Sequence, residues 1–296
     1  PKVPGDVPRF VEETHGQSAG WIGPNFDPLT IDSNPNSVDY HVGDFDPPHE
    51  IYRKRVDARK ALLRRLDRPV TGNSPMQQMG RHYERAFALM NSASARGAFD
   101  ISQESPAIRE RYGLNPHGQS VLQARRLIER GVSLVTVFWP NDGIKNVSVY
   151  WDTHSRNFVD LKGRLMPVAD RAFSALLDDL KERKLLDETL VIWTGEFGRT
   201  PRIGQVNSDA GAGADGRDHW PGCFTSVLAG GGIRGGQVYG SSDKHAAYPA
   251  SNAVRPMDLV ATVYHALGVP QQLELRDHLG RPQVVCPGQP LMPLFG

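Results

Sequence analysis

Asp152-Thr153-His154 sets a carboxylate and an imidazole two residues apart, and Asp218-His219 sets the same two groups side by side further along the chain. Glu196 lies between them, just after the apolar run Leu190-Val191-Ile192-Trp193. Carboxylates mixed with imidazoles suit Zn²⁺, Mn²⁺ or Fe²⁺, whereas all-oxygen sets suit Mg²⁺ or Ca²⁺. A cluster of Asp152, His154, Glu196 and His219 therefore points to a transition metal. The alternative is plain: Asp152 caps the helix that follows and His219 is a hydrogen-bonded loop histidine. Lys244 and His245 lie near a glycine-rich turn, where they could reach an anion.

Position weighs between those readings. Val132 to Phe138 is a β-rich apolar run and reads as a central strand. Phe158, Leu161, Leu165, Val168, Ala172, Phe173, Leu176 and Leu180 then recur mostly at steps of three and four, the spacing of an amphipathic helix. Pro167 either kinks that helix or sits in the first turn of a restarted one. Residues 190–193 form the next strand. Strand, helix, strand predicts a βαβ unit with parallel strands and a right-handed crossover. In open α/β sheets, ligands bind beyond the carboxyl ends of the strands. Those ends lead into loops 139–154 and 194–222. The first holds Asp142, Asp152 and His154; the second holds Glu196, Arg199, Asp209, Asp215, Arg217, Asp218 and His219. A third strand is expected over 224–228. If it runs antiparallel, its start brings His219 to the same edge.

Other segments carry less. Residues 1–50 are rich in Pro, Asp, Asn and Gly and read as a wrapping segment or linker, while 51–66 and 76–98 have helical spacing. Ser105-Pro106 opens a short helix. Helices over 119–130 and 256–267 should end at Gly131 and Gly268. Val238-Tyr239 reads as a short strand. Gly230 to Gly236 lacks both the GxGxxG spacing and a GKS/GKT ending, so a tight turn between strands is favoured over a phosphate loop. His117 reads as a contact near a helix cap and His265 as packing.

The chain has 296 residues, 34 Lys plus Arg and 33 Asp plus Glu, for a net charge of +1, which gives no electrostatic footprint of a nucleic-acid binder. No apolar run approaches the ~18 residues of a membrane span. With 30 Gly and 23 Pro, the expectation is a folded protein with many shaped loops. The two cysteines, Cys223 and Cys286, form neither a zinc pattern nor a disulfide framework and leave the redox compartment open. The opening Pro1-Lys2-Val3-Pro4 reads as part of a longer or processed protein. The expected organisation is a loop-rich and helical region over 1–115 and an α/β core over 116–296.

Thr194-Gly195-Glu196-Phe197-Gly198-Arg199-Thr200-Pro201 and Gly216-Arg217-Asp218-His219-Trp220-Pro221 together resemble a known family. Further matching pieces are Trp151-Asp152-Thr153-His154, Leu228 to Gly236, Ala247-Tyr248-Pro249 and Tyr264 to Gly268. The chain resembles the domain-of-unknown-function family 1501, found largely in planctomycetes and related bacteria, from about Phe10 to its end. That family is grouped with the alkaline phosphatase and sulfatase superfamily. The resemblance implies an alkaline-phosphatase-like three-layer α/β sandwich around a mixed, mainly parallel sheet, here missing its N-terminal part. It implies a metal-dependent hydrolase of small phosphate or sulfate esters, with Asp152, His154 and His219 as ligands. Zinc or manganese is favoured, with calcium or magnesium as alternatives. Asp218 is counted with them as a metal residue, and Glu196, with a catalytic role, is a second ligand or an orienting carboxylate. Arg199 has a catalytic role; Arg199 and Arg217 neutralise the anionic ester, with Lys244 as a further substrate contact. Phe197 stands where the superfamily's second site carries a histidine, and no apolar strand before Ile51 could carry the Asp-Gly motif and nucleophile region with which family members begin. A non-catalytic exported protein that keeps the fold for binding or structure is therefore the rival. A Rossmann-type cofactor binder is weaker, because no glycine fingerprint follows the strand at 132–138. The resemblance also implies twin-arginine export to a periplasmic or secreted location. It leaves the oligomeric state open.

Overall fold

A computed structural model describes residues 19, 26–42, 58–59, 61–62, 97–140, 150–277 and 279–296. The helical spacing noted over 51–66 and 76–98, most of the 1–50 segment and Asp142 lie almost wholly outside those residues. The chain divides into two compact units. One takes in Pro1–Ser33, His41–Arg96 and Glu274–Val285; the other takes in Asn34–Tyr40, Gly97–Leu273 and Cys286–Gly296 and holds every candidate site residue.

The second unit begins with helices α1 (Pro106–Tyr112) and α2 (Pro116–Glu129). Each opens on a proline at its start and a side-chain cap. Ser105 accepts from the Ile108 N–H at 3.3 Å, and Asn115 accepts from the Gly118 N–H at 2.9 Å. Both caps satisfy donors that a helix start leaves unpaired. Gly131 (φ +85°) follows α2 as expected.

Helix α3 (Asn157–Asp160) runs through a π turn (Leu161–Leu165) into α4 (Met166–Glu182). Pro167 sits in the first turn of α4. This is the second of the two expected alternatives, a proline in the first turn of a restarted helix. The Met166 N–H reaches the Leu161 carbonyl in the wider π pattern, which loosens the helix where proline removes a donor and crowds the preceding turn.

Ile101, Tyr112, Val121, Leu122, Ala172 and Ala175 form the buried core between α1, α2 and α4, with Tyr40, Ile108, Val137 and Leu176 packed against it. A charged network lies beside it. Arg125, with no exposed side-chain surface, pairs with Glu104 and Asp179 at 2.9 Å each and with Glu129 at 2.7 Å. Tyr112 donates at 2.8 Å to the same Asp179 oxygen that Arg125 holds.

Among the described residues the strands form four two-stranded antiparallel pairings. β1 (Val191–Trp193) pairs with β4 (Val227–Ala229), and β2 (Gly198–Arg199) with β3 (His219–Trp220). β5 (Ser241–Ser242) pairs with β6 (Pro249–Ser251). In the first unit, β7 (Glu274–Arg276) pairs with β8 (Pro282–Val284). Helix α5 (Pro256–Ala266) follows β6 and ends at Gly268 (φ +73°).

The mix of helices and strands agrees with the α/β reading, and the strand at 190–193 and the antiparallel third strand are present. The βαβ unit is not. Residues 132–138 belong to no ladder among the described residues. Leu134 and Phe138 are 69% and 51% exposed, while Val137 packs on the helical core. A β-rich composition suits a pleated, half-buried surface, but a strand needs a partner for its backbone. Val238-Tyr239 likewise forms no strand. The glycine run after β4 is a turn, as favoured, and it closes on its own chain. The Gly231 N–H donates to the Leu186 carbonyl, and a Cβ on Gly230 would stand 2.4 Å from that oxygen.

Candidate metal centre

The site grows from the short ladder between β2 and β3. Arg199 faces His219 directly in register, so the two side chains leave the same face of the pair as cross-strand neighbours. The connection between these strands is long and is folded by the two residues just before His219. Asp218 is fully buried. Its carboxylate accepts from the Asn207 and Ser208 N–H groups at 2.6 and 2.7 Å, from the Ser208 hydroxyl at 2.6 Å and from the His219 N–H at 2.7 Å. Burial opposes ionisation there, yet these four donors hold the Asp218 carboxyl well below the usual carboxylate range. Arg217 donates to the Thr200 carbonyl at 2.6 Å and to the Arg199 carbonyl at 3.1 Å. Its guanidinium is committed to the backbone of β2.

The second half of the site is clamped onto this loop. The Gly213 N–H donates to the His154 carbonyl at 2.7 Å, and the Arg217 N–H donates to the Thr153 carbonyl at 3.1 Å. Gly216 presses so closely that a Cβ there would lie 1.7 Å from the His154 carbonyl oxygen, so only glycine fits. The Thr153 hydroxyl meets the Asn157 side chain at 2.6 Å, and both residues are buried.

Three ligand atoms converge as a result. Asp152, His154 and His219 form a potential metal-holding group among the described residues. Asp152 Oδ1 lies 2.8 Å from His154 Nε2 and 3.0 Å from His219 Nε2. The two imidazole Nε2 atoms are 3.0 Å apart. The Gly211 carbonyl, 2.6 Å from His154 Nδ1, can only accept. That bond assigns the proton of a neutral His154 to Nδ1 and turns the Nε2 lone pair toward Asp152 Oδ1. Two acceptors this close need a positive group beside them, a place that the Arg199 guanidinium takes and that a metal ion could take. An orienting carbonyl behind a ligand histidine is the usual support of a metal site. The donor set of one carboxylate and two imidazoles could hold a divalent metal ion.

Arg199 supplies positive charge at this point. Its Nη2 lies 2.6 Å from the same Asp152 oxygen, and its Nη1 lies 3.4 Å from His154 Nε2. Burial raises the Asp152 pKa, but bonds from Arg199 and His219 outweigh it and keep the carboxyl below its ordinary value. The Phe197 ring packs 4.6 Å from the His219 ring.

The residues singled out from the sequence thus separate. Asp152, His154, His219 and Arg199 come together. Asp218 stands behind them, with Oδ1 3.7 Å from His154 Nδ1 and its oxygens engaged by the loop. Arg217 braces β2. Glu196 is exposed and is not one of the three converging groups. Lys244 is exposed in the turn between β5 and β6, a turn tied to β3 through Trp220, whose indole N–H donates to the Ala247 carbonyl at 2.7 Å. Trp220 alternates with His219 along the strand, so that tie leaves from the opposite face. Among the other histidines, His265 packs edge-on against Phe295 at 4.9 Å, and His117 stacks on Trp139 at 4.2 Å. The supporting parts that sequence reasoning missed are Gly211, Ser208 and Asn157. The glycine-rich run 211–216, which holds Asp215 and lies between Asp209 and Asp218, is the visible sign of a tight approach.

A family profile described as "Protein of unknown function (DUF1501)" matches residues 9–295. No curated protein and no solved structure matches the chain.

Proposed function

The chain belongs to the DUF1501 family, and we propose that it is a metal-dependent hydrolase of phosphate or sulfate esters built around Asp152, His154 and His219. The observation that supports this reading is the approach of Asp152 Oδ1 and the two imidazole Nε2 atoms to within 3.0 Å of one another, with a guanidinium beside them. A metal bound there supplies Lewis acidity, polarising an ester oxygen or lowering the pKa of a water.

The chain's own residues do the rest. Gly211 keeps the His154 proton on Nδ1, so Nε2 remains a ligand atom. Asp152 brings negative charge to the centre. Arg199 offers a planar pair of N–H donors to an anionic ester, the geometry that suits phosphate and sulfate oxygens. The family resemblance supports an alkaline-phosphatase-like sandwich as the wider architecture and export to the periplasm or beyond as the location.

Elemental analysis of the purified protein beside His219→Ala tests the reading. We expect about one transition-metal ion per chain, lost in the variant, and turnover in a screen of aryl phosphates and sulfates. Absence of metal from both proteins overturns it. Phe197 against the His219 ring favours a second reading, in which the metal is structural and the protein binds without turnover. Metal at full stoichiometry, a lower Tm on its removal and no hydrolysis of either ester class would select that reading.

A further inference from the structure

We propose that Arg199 is a built-in competitor for the metal site: its guanidinium holds the Asp152 oxygen that the metal needs, and metal binding releases Arg199 toward the anionic substrate. This rests on the metal-site reading above and adds an order of events to it.

The contacts of one oxygen carry the inference. Asp152 Oδ1 is the atom that both imidazoles face, and it is also the atom that Arg199 Nη2 holds at 2.6 Å. Nη1 of the same guanidinium stands 3.4 Å from His154 Nε2, the lone pair of a second ligand. Arg199 therefore occupies the electrostatic place of a cation. Two positive charges cannot share that oxygen and that lone pair without strong mutual repulsion.

The guanidinium is placed to leave. Its other bonds are long: 3.5 Å to the Arg217 carbonyl and 3.4 Å to the Trp151 carbonyl. Its one short bond is the one a metal would replace. Asp152 keeps 48% of its side-chain surface exposed, so a hydrated cation reaches the carboxylate from solvent. Arg199 cannot travel far, because its backbone is paired with His219 in the β2–β3 ladder and its carbonyl accepts from Arg217. Displaced, it stays at the rim of the centre with its N–H donors unfilled. That is where the non-bridging oxygens of a metal-bound anionic ester would lie. Cation binding and anion binding are thereby coupled, each favouring the other.

The test uses the full chain stripped of metal and titrated calorimetrically with Zn²⁺ alone, then Mn²⁺ alone. Arg199→Gln should bind metal about tenfold more tightly than the unaltered protein, the scale of one charge-assisted hydrogen bond removed from competition. Arg199→Lys, which keeps the charge but loses the fork, should fall between them. Equal or weaker binding by Arg199→Gln overturns the competition while leaving the metal site standing. No binding by any of the three proteins overturns both.

A measurement on the unaltered protein guards against a variant that folds badly. Phenylglyoxal labelling, mapped by mass spectrometry, should modify Arg199 several-fold faster with Zn²⁺ present than without it. Unchanged or slower labelling overturns the release. Inorganic phosphate should then bind more tightly to the Zn²⁺-loaded chain than to the stripped chain, and Arg199→Gln should lose that gain. A gain retained in full by Arg199→Gln overturns the assignment of the anion to Arg199.

Discussion

Two aspartates of this chain, Asp179 beside the helical core and Asp152 at the β2–β3 end, both sit next to arginine and both ionise more readily than usual. Their partners are distributed differently. Asp179 uses both oxygens, Oδ2 taking Arg125 and Tyr112 and Oδ1 taking Arg183, and it is 2% exposed. Asp152 gathers Arg199, His154 and His219 on a single oxygen and is 48% exposed. A carboxylate whose lone pairs are shared out among fixed donors is finished as a structural element. A carboxylate with three partners crowded onto one reachable atom can exchange one of them. The difference separates a charge that holds the fold from a charge that can take a ligand.

The largest effect should come from the helical side. Arg125→Met leaves Asp179, Glu104 and Glu129 without their shared cation, and breaking a buried pair of this kind costs about 3–5 kcal/mol. Urea unfolding should show that loss while Zn²⁺ affinity stays unchanged. A large affinity change would erase the distinction between the two regions.

Next comes the support of the site. Asn157→Ala removes the buried partner of Thr153, between Asp152 and His154. Metal affinity should fall about 10–100-fold, as for other residues that orient ligands, and calorimetry measures it.

A third prediction concerns acid. His117 is half-buried against Trp139, its buried Nδ1 has no hydrogen-bond partner among the described residues, and burial lowers its pKa to about 4. The unfolded chain takes up a proton near pH 6.5 while the folded chain does not, so stability falls as the pH drops from about 6.5 to about 4. His117→Phe keeps the stack and should flatten that slope, worth roughly 1–2 kcal/mol after its remaining solvent contact is counted. Denaturant midpoints at several pH values within that window decide it. Asp179 acts in a lower range. Its stabilisation is complete above the ordinary carboxylate pKa and disappears as the pH falls through its depressed value.

The smallest effect should be Asp152→Asn. An exposed pair contributes little, so stability should move by less than about 1 kcal/mol. Metal binding should nonetheless disappear. That split, read by urea unfolding and elemental analysis of one variant, is the sharpest form of the comparison.

Asp152, His154, Arg199 and His219 were legible from residue type and spacing in polar loops, but the expected parallel sheet edge does not gather them; the β2–β3 ladder and the contacts of loop 200–218 with Thr153 and His154 do. The roles of Asp218 and Arg217 were not. An aspartate beside a histidine reads as a ligand by type alone. Only closure of loop 200–218 onto its carboxylate brings the Asn207 and Ser208 N–H groups to it. The run 132–138 misled for a related reason: composition reports a residue's preference for a pleated surface and says nothing of whether a neighbouring strand is there to pair with it. Pro167 was legible as an alternative between kink and restart, and its place in the first turn of α4, just after the π turn, is the restart.

The site joins residues about 65 positions apart, His219 with Asp152 and His154, and the strand pair that brings them together has only two residues on each side. Time enters through that separation. Helices α1 and α2 close on local contacts, but the three ligand atoms cannot meet until the whole intervening stretch has been made and its long loop folded back, a slow class of event. Pulse-labelled hydrogen exchange should protect the amides of α2 before those of Arg199 and His219. During synthesis, a metal ion would meet a complete coordination set only after β3 has left the ribosome.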